Sequence, residues 1–199
     1  MNNRIKKRVA VLISGRGSNM AALIEAQKAA DYPAQIVAVF ANTEKAAGLE
    51  IARRSNIPAL VIPSRDYQER LAFDMALHDA LQPFQVDLIC LAGFMRILTP
   101  WFVEQWSGRM LNIHPSLLPL FPGTRTHERV LEAGYRTHGC TVHFVIPELD
   151  AGPVIAQAEI AVEPDDTPDS LAARLLKEEN RLYPLALAEV ASGRIVYSA

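Results

Sequence analysis

The sequence is poor in cysteine and has no excess of basic residues. Its 199 residues include two cysteines, and 20 Lys and Arg against 22 Asp and Glu give a formal net charge of −2. Two cysteines in separate apolar segments do not form a disulfide framework or a zinc ribbon. A balanced charge also lacks the basic face that nucleic-acid binders use. We therefore expect small-molecule partners and no nucleic acid.

A long hydrophobic run is missing as well. No segment approaches the roughly 20 apolar residues of a transmembrane helix, and the apolar run at 9–13 is too short for a signal peptide. Half of the residues are apolar, which is enough for one buried core. We expect a cytoplasmic protein with a single domain over 1–199 and no membrane partner. Both a monomer and a homodimer remain open.

Metal-binding motifs are also missing, although the chain has five histidines. No His-x-x-x-His pair with a neighbouring glutamate occurs, and the other histidines follow no ligand spacing of a known metal site. We expect no metal.

Apolar strand-like segments alternate with helical ones. The predicted strands are 9–13, 35–41, 59–62, 86–91 and 109–114, and the predicted helices between the first four are 20–30, 46–55 and 66–81. This alternation predicts an α/β fold with a doubly wound, mostly parallel twisted sheet and helices on both faces. Later segments predict an antiparallel C-terminal extension: strands at 140–146 and 154–162, a long helix at 170–191 and a last strand at 195–197.

A glycine loop, Ser14–Asn19, joins the first strand to the first helix, which Ser18 or Asn19 could cap. Strand, glycine loop and helix together present free backbone N–H groups to a phosphate. The dinucleotide fingerprint fails, because Met20 stands where its third glycine would be and Asn42 where its acid would be. The loop therefore favours a monophosphate, the alternative being a tight turn that only closes a βα unit.

Two polar side chains end the fifth predicted strand. Asn112 and His114 occupy alternate positions and so share a face. An amide donor beside an imidazole is suited to acyl chemistry at a carbonyl. The alternative is a strand end at which Asn112 begins a turn and His114 caps it. Asp150 lies in a glycine-containing connection that could fold over this strand end, or it could serve only the turn.

The loop at 92–98 is unusually apolar and contains one arginine, Arg96. Such a loop could line a pocket for a flat aromatic ligand with an acidic tail. A loop that packs between helices and exposes its arginine is the alternative.

Five motifs together resemble the phosphoribosylglycinamide formyltransferases, folate-dependent enzymes of de novo purine synthesis. They occur in the family's order and cover nearly the whole chain: Ile13-Ser-Gly-Arg-Gly-Ser-Asn19, Leu91-Ala-Gly-Phe-Met-Arg-Ile-Leu98, Leu111-Asn-Ile-His-Pro-Ser-Leu-Leu-Pro119, His138-Gly-Cys-Thr-Val-His-Phe144 and Glu148-Leu-Asp-Ala-Gly-Pro153. The resemblance implies a formyltransferase fold. It also implies transfer of a formyl group from 10-formyltetrahydrofolate to the amine of glycinamide ribonucleotide (GAR), which gives formylglycinamide ribonucleotide and tetrahydrofolate.

The resemblance also assigns residues to roles. The implied catalytic set is Asn112, His114 and Asp150, supported by Thr141 and His143. The residues implied for GAR are Arg16, Gly17, Ser18, Asn19, Gly93, Pro115 and Glu179. The residues implied for the folate are Arg70, Met95, Arg96, Ile97 and Leu98, together with Asn112 and Asp150. On this view 9–110 is a phosphate-binding half, and 111–199 is a catalytic and folate-binding half.

The chain departs from the family pattern at a few positions. Leu176 and Asn180 stand where relatives usually carry polar or histidine side chains, and Thr124-Arg125 replaces the more usual Leu-His. A formyltetrahydrofolate deformylase is one alternative, but its usual N-terminal regulatory domain would not fit in the eight residues before Val9. A non-catalytic folate or nucleotide sensor is another, although a sensor would not need both Asn112 and Asp150.

Overall fold

The computed structural model describes residues 5–198. Seven strands in this part of the chain form one sheet. They are β1 (Lys7–Ile13), β2 (Ala34–Ala41), β3 (Ala59–Val61), β4 (Leu88–Leu91), β5 (Met110–His114), β6 (Thr137–Phe144) and β7 (Val154–Ala161).

The strand order is β3-β2-β1-β4-β5-β6-β7. Strands β1 to β5 are parallel, whereas β6 runs antiparallel to both of its neighbours. This arrangement confirms the predicted doubly wound sheet with an antiparallel C-terminal extension. The direction of winding reverses between β1 and β4, and the crevice beyond the carboxyl ends of such a pair is where α/β sheets bind ligands.

In the same described part of the chain, six α-helices surround the sheet: α1 (Ser18–Ala26), α2 (Gly48–Arg54), α3 (Arg70–Leu81), α4 (Pro100–Gln105), α5 (Thr126–Glu132) and α6 (Pro168–Ala191). Helix α3 starts later than predicted because Ser64–Asp66 forms a separate 3₁₀ turn. None of the helices within 5–198 combines the length and apolarity needed to span a membrane.

Two buried cores lie on opposite faces of the sheet, and β1 contributes to both. Val9, Val11 and Ile13 pack with α1, α2 and α6, whereas Ala10 and Leu12 pack with α3 and α4. Burial on both faces explains why β1 reads as a continuous apolar run rather than as an alternating one.

The start of α1 differs from the prediction. The helix begins at Ser18, and its N-cap is Gly17 in the left-handed conformation, with φ of 76° and no capping side chain. The Asn19 side chain does not cap the helix because it donates a hydrogen bond to Glu179 instead.

The predicted strand at 195–197 is wrong. After α6 the chain turns back, and the N–H groups of Arg194 and Ile195 both donate to the Glu189 carbonyl. The Tyr197 ring then packs against Phe144, with 5.4 Å between ring centroids. Side-chain packing thus replaces strand pairing at this end of the described chain.

Candidate active site

A cavity of about 740 Å³ opens at the carboxyl end of the parallel strands. Its lining includes the apolar loop 93–98 together with Asn19 and Glu179, but not Arg16, Gly17 or Ser18. The remaining walls are the end of β5 with Pro115, the loop 145–150, and the segment 123–128 at the start of α5. The cavity therefore draws on both halves of the chain.

Asn112 and His114 reach the cavity because β5 ends there. Antiparallel pairing sets Asn112 opposite His143 and His114 opposite Thr141 on β6. The Asn112 Nδ2 atom lies 3.2 Å from Nε2 of His143. The neighbouring strand thus brings a second ring to the amide.

The hydrogen bonds of His143 fix the direction of the Asn112 amide. The Nδ1 atom of His143 lies 2.8 Å from the Phe144 carbonyl oxygen, which can only accept, so Nδ1 carries the proton. Burial lowers the pKa of His143, which keeps the ring neutral near pH 7. Its Nε2 therefore accepts from the Asn112 amide nitrogen, whose second N–H remains available.

His114 is 5% exposed and faces an acceptor on each side. Its Nδ1 lies 3.4 Å from Oδ2 of Asp150, and its Nε2 lies 3.1 Å from the Phe121 carbonyl oxygen. The ring is therefore held between two oxygen atoms, one of the Asp150 carboxylate and one of the Phe121 carbonyl.

Asp150 reaches His114 through a tightly closed loop. Its backbone is in the left-handed region, with φ of 53°, and its side chain is 8% exposed. Its Oδ2 also accepts the Gly123 N–H at 2.8 Å. Gly152 lets the loop approach β6, because a Cβ there would lie 1.8 Å from the Phe144 carbonyl oxygen.

A buried polar pair, Asn19 and Glu179, also lines the cavity. The Asn19 Nδ2 donates to Oε2 of Glu179 at 2.7 Å, which joins α1 to α6. Glu179 is 9% exposed, and burial raises its pKa, whereas the bond from Asn19 and the charge of Arg16 act in the opposite direction. The Asn19 Oδ1 is buried without a partner among the described residues.

The glycine loop lies directly before Asn19. Gly48, the first residue of α2, packs so closely that a Cβ on Gly17 would lie 2.8 Å from its Cα. The first backbone bond of α1 runs from the Ala21 N–H to the Gly17 carbonyl. The N–H groups of Ser18, Asn19 and Met20 consequently have no acceptor within the helix. Arg16 is exposed beside them.

The residues expected to bind the folate only partly come together. Gly93, with φ of 72°, opens the apolar loop, in which Met95 is 72% and Ile97 58% exposed. The guanidinium of Arg96 lies 4.3 Å from the centroid of the Phe73 ring. The expected residues that line the cavity are Met95, Arg96, Ile97, Leu98, Asn112 and Asp150. Arg70 is exposed at the start of α3 and does not line the cavity.

Thr141 is fully buried and does not face the cavity. Its hydroxyl donates to the Ser116 carbonyl at 2.7 Å and accepts from the Leu118 N–H and the Gln157 amide. These bonds hold the turn that follows His114, and the Leu118-Pro119 peptide bond in that turn is cis.

One feature of the site had no signal in the sequence. His127 on α5 lines the cavity, and its Nδ1 lies 3.0 Å from Nε2 of the buried His138 on β6. Burial and the charges of His127 and His114 lower the pKa of His138 to about 4. No sequence pattern pairs a helix start with a strand start, so only the fold reveals this contact.

Across residues 5–198 no group of three or more His, Cys, Asp or Glu side chains is arranged to hold a metal ion.

Comparison with known proteins shows where this architecture recurs. The sequence profile of the formyl transferase family matches residues 7–187. The phosphoribosylglycinamide formyltransferase of Haemophilus influenzae is 43% identical over 189 residues, covering 95% of this chain and 89% of that protein. The crystal structure of glycinamide ribonucleotide transformylase 1 from Symbiobacterium toebii matches with a TM-score of 0.95 at 43% identity, covering 98% of this chain and 92% of that one.

A longer relative contains the same segment. The trifunctional purine biosynthetic protein adenosine-3 of Bos taurus is 49% identical over 190 residues, which cover 96% of this chain. This chain spans only 19% of the length of that relative. The profile match and the nearly full-length bacterial relative lead to one conclusion: the chain belongs to the formyl transferase family, and within it to the phosphoribosylglycinamide formyltransferases.

Proposed function

We propose that this chain transfers a formyl group from 10-formyltetrahydrofolate to the amine of GAR, giving formylglycinamide ribonucleotide and tetrahydrofolate in purine biosynthesis. The observation that carries the proposal is that Asn112, His114 and Asp150 line one cavity together with an apolar loop and a buried carboxylate. Family membership supports the same reaction.

The part of the cavity beside Asn19 and Glu179 suits a ribose phosphate. The free N–H groups at the start of α1 favour an anion, and the helix dipole adds to that preference. Arg16 adds a positive charge beside them. Glu179 and the unpartnered Oδ1 of Asn19 are acceptors that two ribose hydroxyls would satisfy. We assign Arg16, Gly17, Ser18 and the Asn19 backbone to the phosphate, and the Asn19 side chain with Glu179 to the ribose.

The apolar loop 93–98 suits a flat aromatic ring system. Met95 and Ile97 expose large apolar side chains at the mouth of the cavity, and a bound ring would remove them from water. The cavity volume of about 740 Å³ falls in the range of small-molecule sites. We assign the loop 93–98 and the loop around Asp150 to the folate, which leaves Arg70 outside the site.

Asn112, His114 and Asp150 provide the groups that formyl transfer needs. The folate supplies the formyl carbon, to which the GAR amine forms a C–N bond while the bond to N10 breaks, and one proton moves from the amine to N10. The free N–H of Asn112 is a donor for the negative charge that develops on the formyl oxygen. The His114 ring is a second donor, and the Asp150 carboxylate beside its Nδ1 holds the ring in place.

Three outcomes of one assay separate this proposal from its rivals. Tetrahydrofolate formation from 10-formyltetrahydrofolate is measured with and without GAR. Turnover that requires GAR supports the proposal. Turnover without GAR identifies a deformylase, and no turnover with intact ligand binding identifies a sensor.

The Asn112→Ala variant is expected to lose about 100-fold or more in kcat, because one donor to an oxyanion contributes about 3 kcal/mol.

A further inference from the structure

The hydrogen bonds between the β1 and β4 segments continue past the end of β4, where a side chain replaces a backbone acceptor. The Ala92 N–H donates to the Leu12 carbonyl at 2.9 Å, and the Ser14 N–H donates to the Gly93 carbonyl at 3.1 Å. Gly93, with its positive φ, then turns the chain away from β1. The next bond uses a side chain, because the Met95 N–H donates to the Ser14 hydroxyl oxygen at 2.8 Å.

Ser14 also begins the glycine loop. The next residue, Gly15, accepts the Gly48 N–H through its carbonyl at 3.0 Å, which fastens the loop to α2. In the part of the chain that the structure describes, both hydrogen bonds between 14–19 and 93–98 use Ser14. One serine therefore joins the segment assigned to the phosphate to the segment assigned to the folate.

The apolar loop is held by hydrogen bonds at both ends and by packing between them. Its far end is held by Asp74, whose Oδ2 accepts the Thr99 N–H at 2.6 Å. Its near end is held by the two bonds to Ser14. Between the ends, Arg96 stacks on the Phe73 ring and two other side chains pack against the core, whereas Met95 and Ile97 are exposed. The Ser14 hydroxyl is the side-chain anchor at the near end, next to Met95.

We propose that Ser14 is a positioning residue that holds the apolar loop in the conformation that binds the folate. The inference rests on the proposed function. Removing the hydroxyl leaves the Met95 N–H without its acceptor, so that only the backbone bond from Ser14 to Gly93 still holds the near end of the loop. The substitution does not change the donors on β5, so it should weaken folate binding rather than slow formyl transfer. For Ser14→Ala the KM for 10-formyltetrahydrofolate is expected to rise about three- to tenfold, with kcat and the KM for GAR nearly unchanged.

The test measures binding separately from turnover. Dissociation constants for tetrahydrofolate and for GAR are determined by calorimetry for the wild type, Ser14→Ala, Ser14→Thr and Ser64→Ala. Ser14→Thr keeps a hydroxyl oxygen and is expected to bind both ligands as the wild type does. Ser64→Ala is the matched control, because Ser64 is another half-buried serine in a turn that follows a strand, but its side chain does not hold the apolar loop.

The outcomes distinguish the inference from the function beneath it. Weaker tetrahydrofolate binding by Ser14→Ala alone, with unchanged GAR binding, supports the inference. Equal tetrahydrofolate binding by Ser14→Ala and the wild type overturns it and leaves the proposed function standing. A wild type that binds no tetrahydrofolate overturns the proposed function itself. Parallel weakening of both ligands indicates a general structural defect and also contradicts the inference. If Ser14→Ala does not fold, Ser14→Cys takes its place, because sulfur is a weak acceptor of similar size.

Discussion

The Nδ1 atom of His114 lies 3.4 Å from Oδ2 of Asp150, although one residue ends a strand and the other belongs to a distant loop. The same carboxylate oxygen accepts the Gly123 N–H. A carboxylate held in this way fixes the orientation of the ring, and a ring in a fixed orientation is a well-placed donor to an oxyanion. The acid is thus expected to act through the histidine rather than on the substrate's ribose or phosphate.

Replacing Asp150 by asparagine removes the carboxylate charge beside His114 and keeps the size of the side chain. The kcat of Asp150→Asn is expected to fall about 100-fold or more, with little change in the KM for GAR. Steady-state kinetics with both substrates measures the effect. Asp165→Asn is the control, because Asp165 is exposed and lies outside the cavity. Full kcat in Asp150→Asn would exclude this role.

His143 is expected to act by orienting the Asn112 amide. His143→Phe keeps a ring but removes the acceptor at 3.2 Å from the amide nitrogen. The amide then loses its fixed direction, and kcat is expected to fall roughly tenfold. The KM values for both substrates should change little. An unchanged kcat in a folded variant would mean that the amide is held by something else.

Glu179 is expected to determine the affinity for GAR. Glu179→Gln keeps the shape of the side chain but weakens charge-assisted bonds to hydroxyl groups, so the dissociation constant for GAR should rise about tenfold or more. Tetrahydrofolate binding should not change. Glu178→Gln is the matched control on the same helix, because Glu178 pairs with Arg181 and does not line the cavity. Equal effects of the two variants would contradict the assignment.

The pair of His127 and His138 predicts how stability depends on pH. Because the pKa of His138 is lowered to about 4 in the folded protein, the unfolded chain binds more protons between pH 4 and about 6.5. The free energy of unfolding should therefore decrease as pH falls through that window, by at most about 3 kcal/mol for this group.

Urea unfolding at pH 7 and pH 4.5 measures this dependence. His138→Gln is expected to be less sensitive to the change of pH than the wild type, because glutamine does not titrate. His78→Gln is the comparison, since His78 lies on α3 away from the pair. The same pH sensitivity in the wild type and His138→Gln would show that other groups are responsible.

The sheet and its order of elements could be predicted because each element carries its own signal. The apolar run of β1 is buried on both faces, as its composition indicates. Thr99 and Thr167 cap α4 and α6 with a proline following each, which is a local pattern. Asn112 and His114 share a face because strand periodicity requires it.

The rest of the site depends on contacts between distant segments, which local patterns do not encode. Asn19 meets Glu179 across 160 positions of sequence, and that contact takes the asparagine away from the helix cap for which its residue type suits it. Asp150 lies in a loop whose sequence fits an ordinary turn. Its role was implied only by the resemblance to a family, and the same holds for Glu179. Neither a local sequence pattern nor the resemblance to a family predicts the pairing of His127 with His138.

Gly152 has a consequence for variation in this chain. Any larger residue there would collide with the backbone of β6 and would lift the loop that carries Asp150. The glycine loop and α6, built from other segments, would stay in place. A mutant library screened for function should therefore tolerate only glycine at 152, whereas a screen for ribonucleotide binding alone should accept several residues, so that one position separates recognition of the nucleotide from turnover.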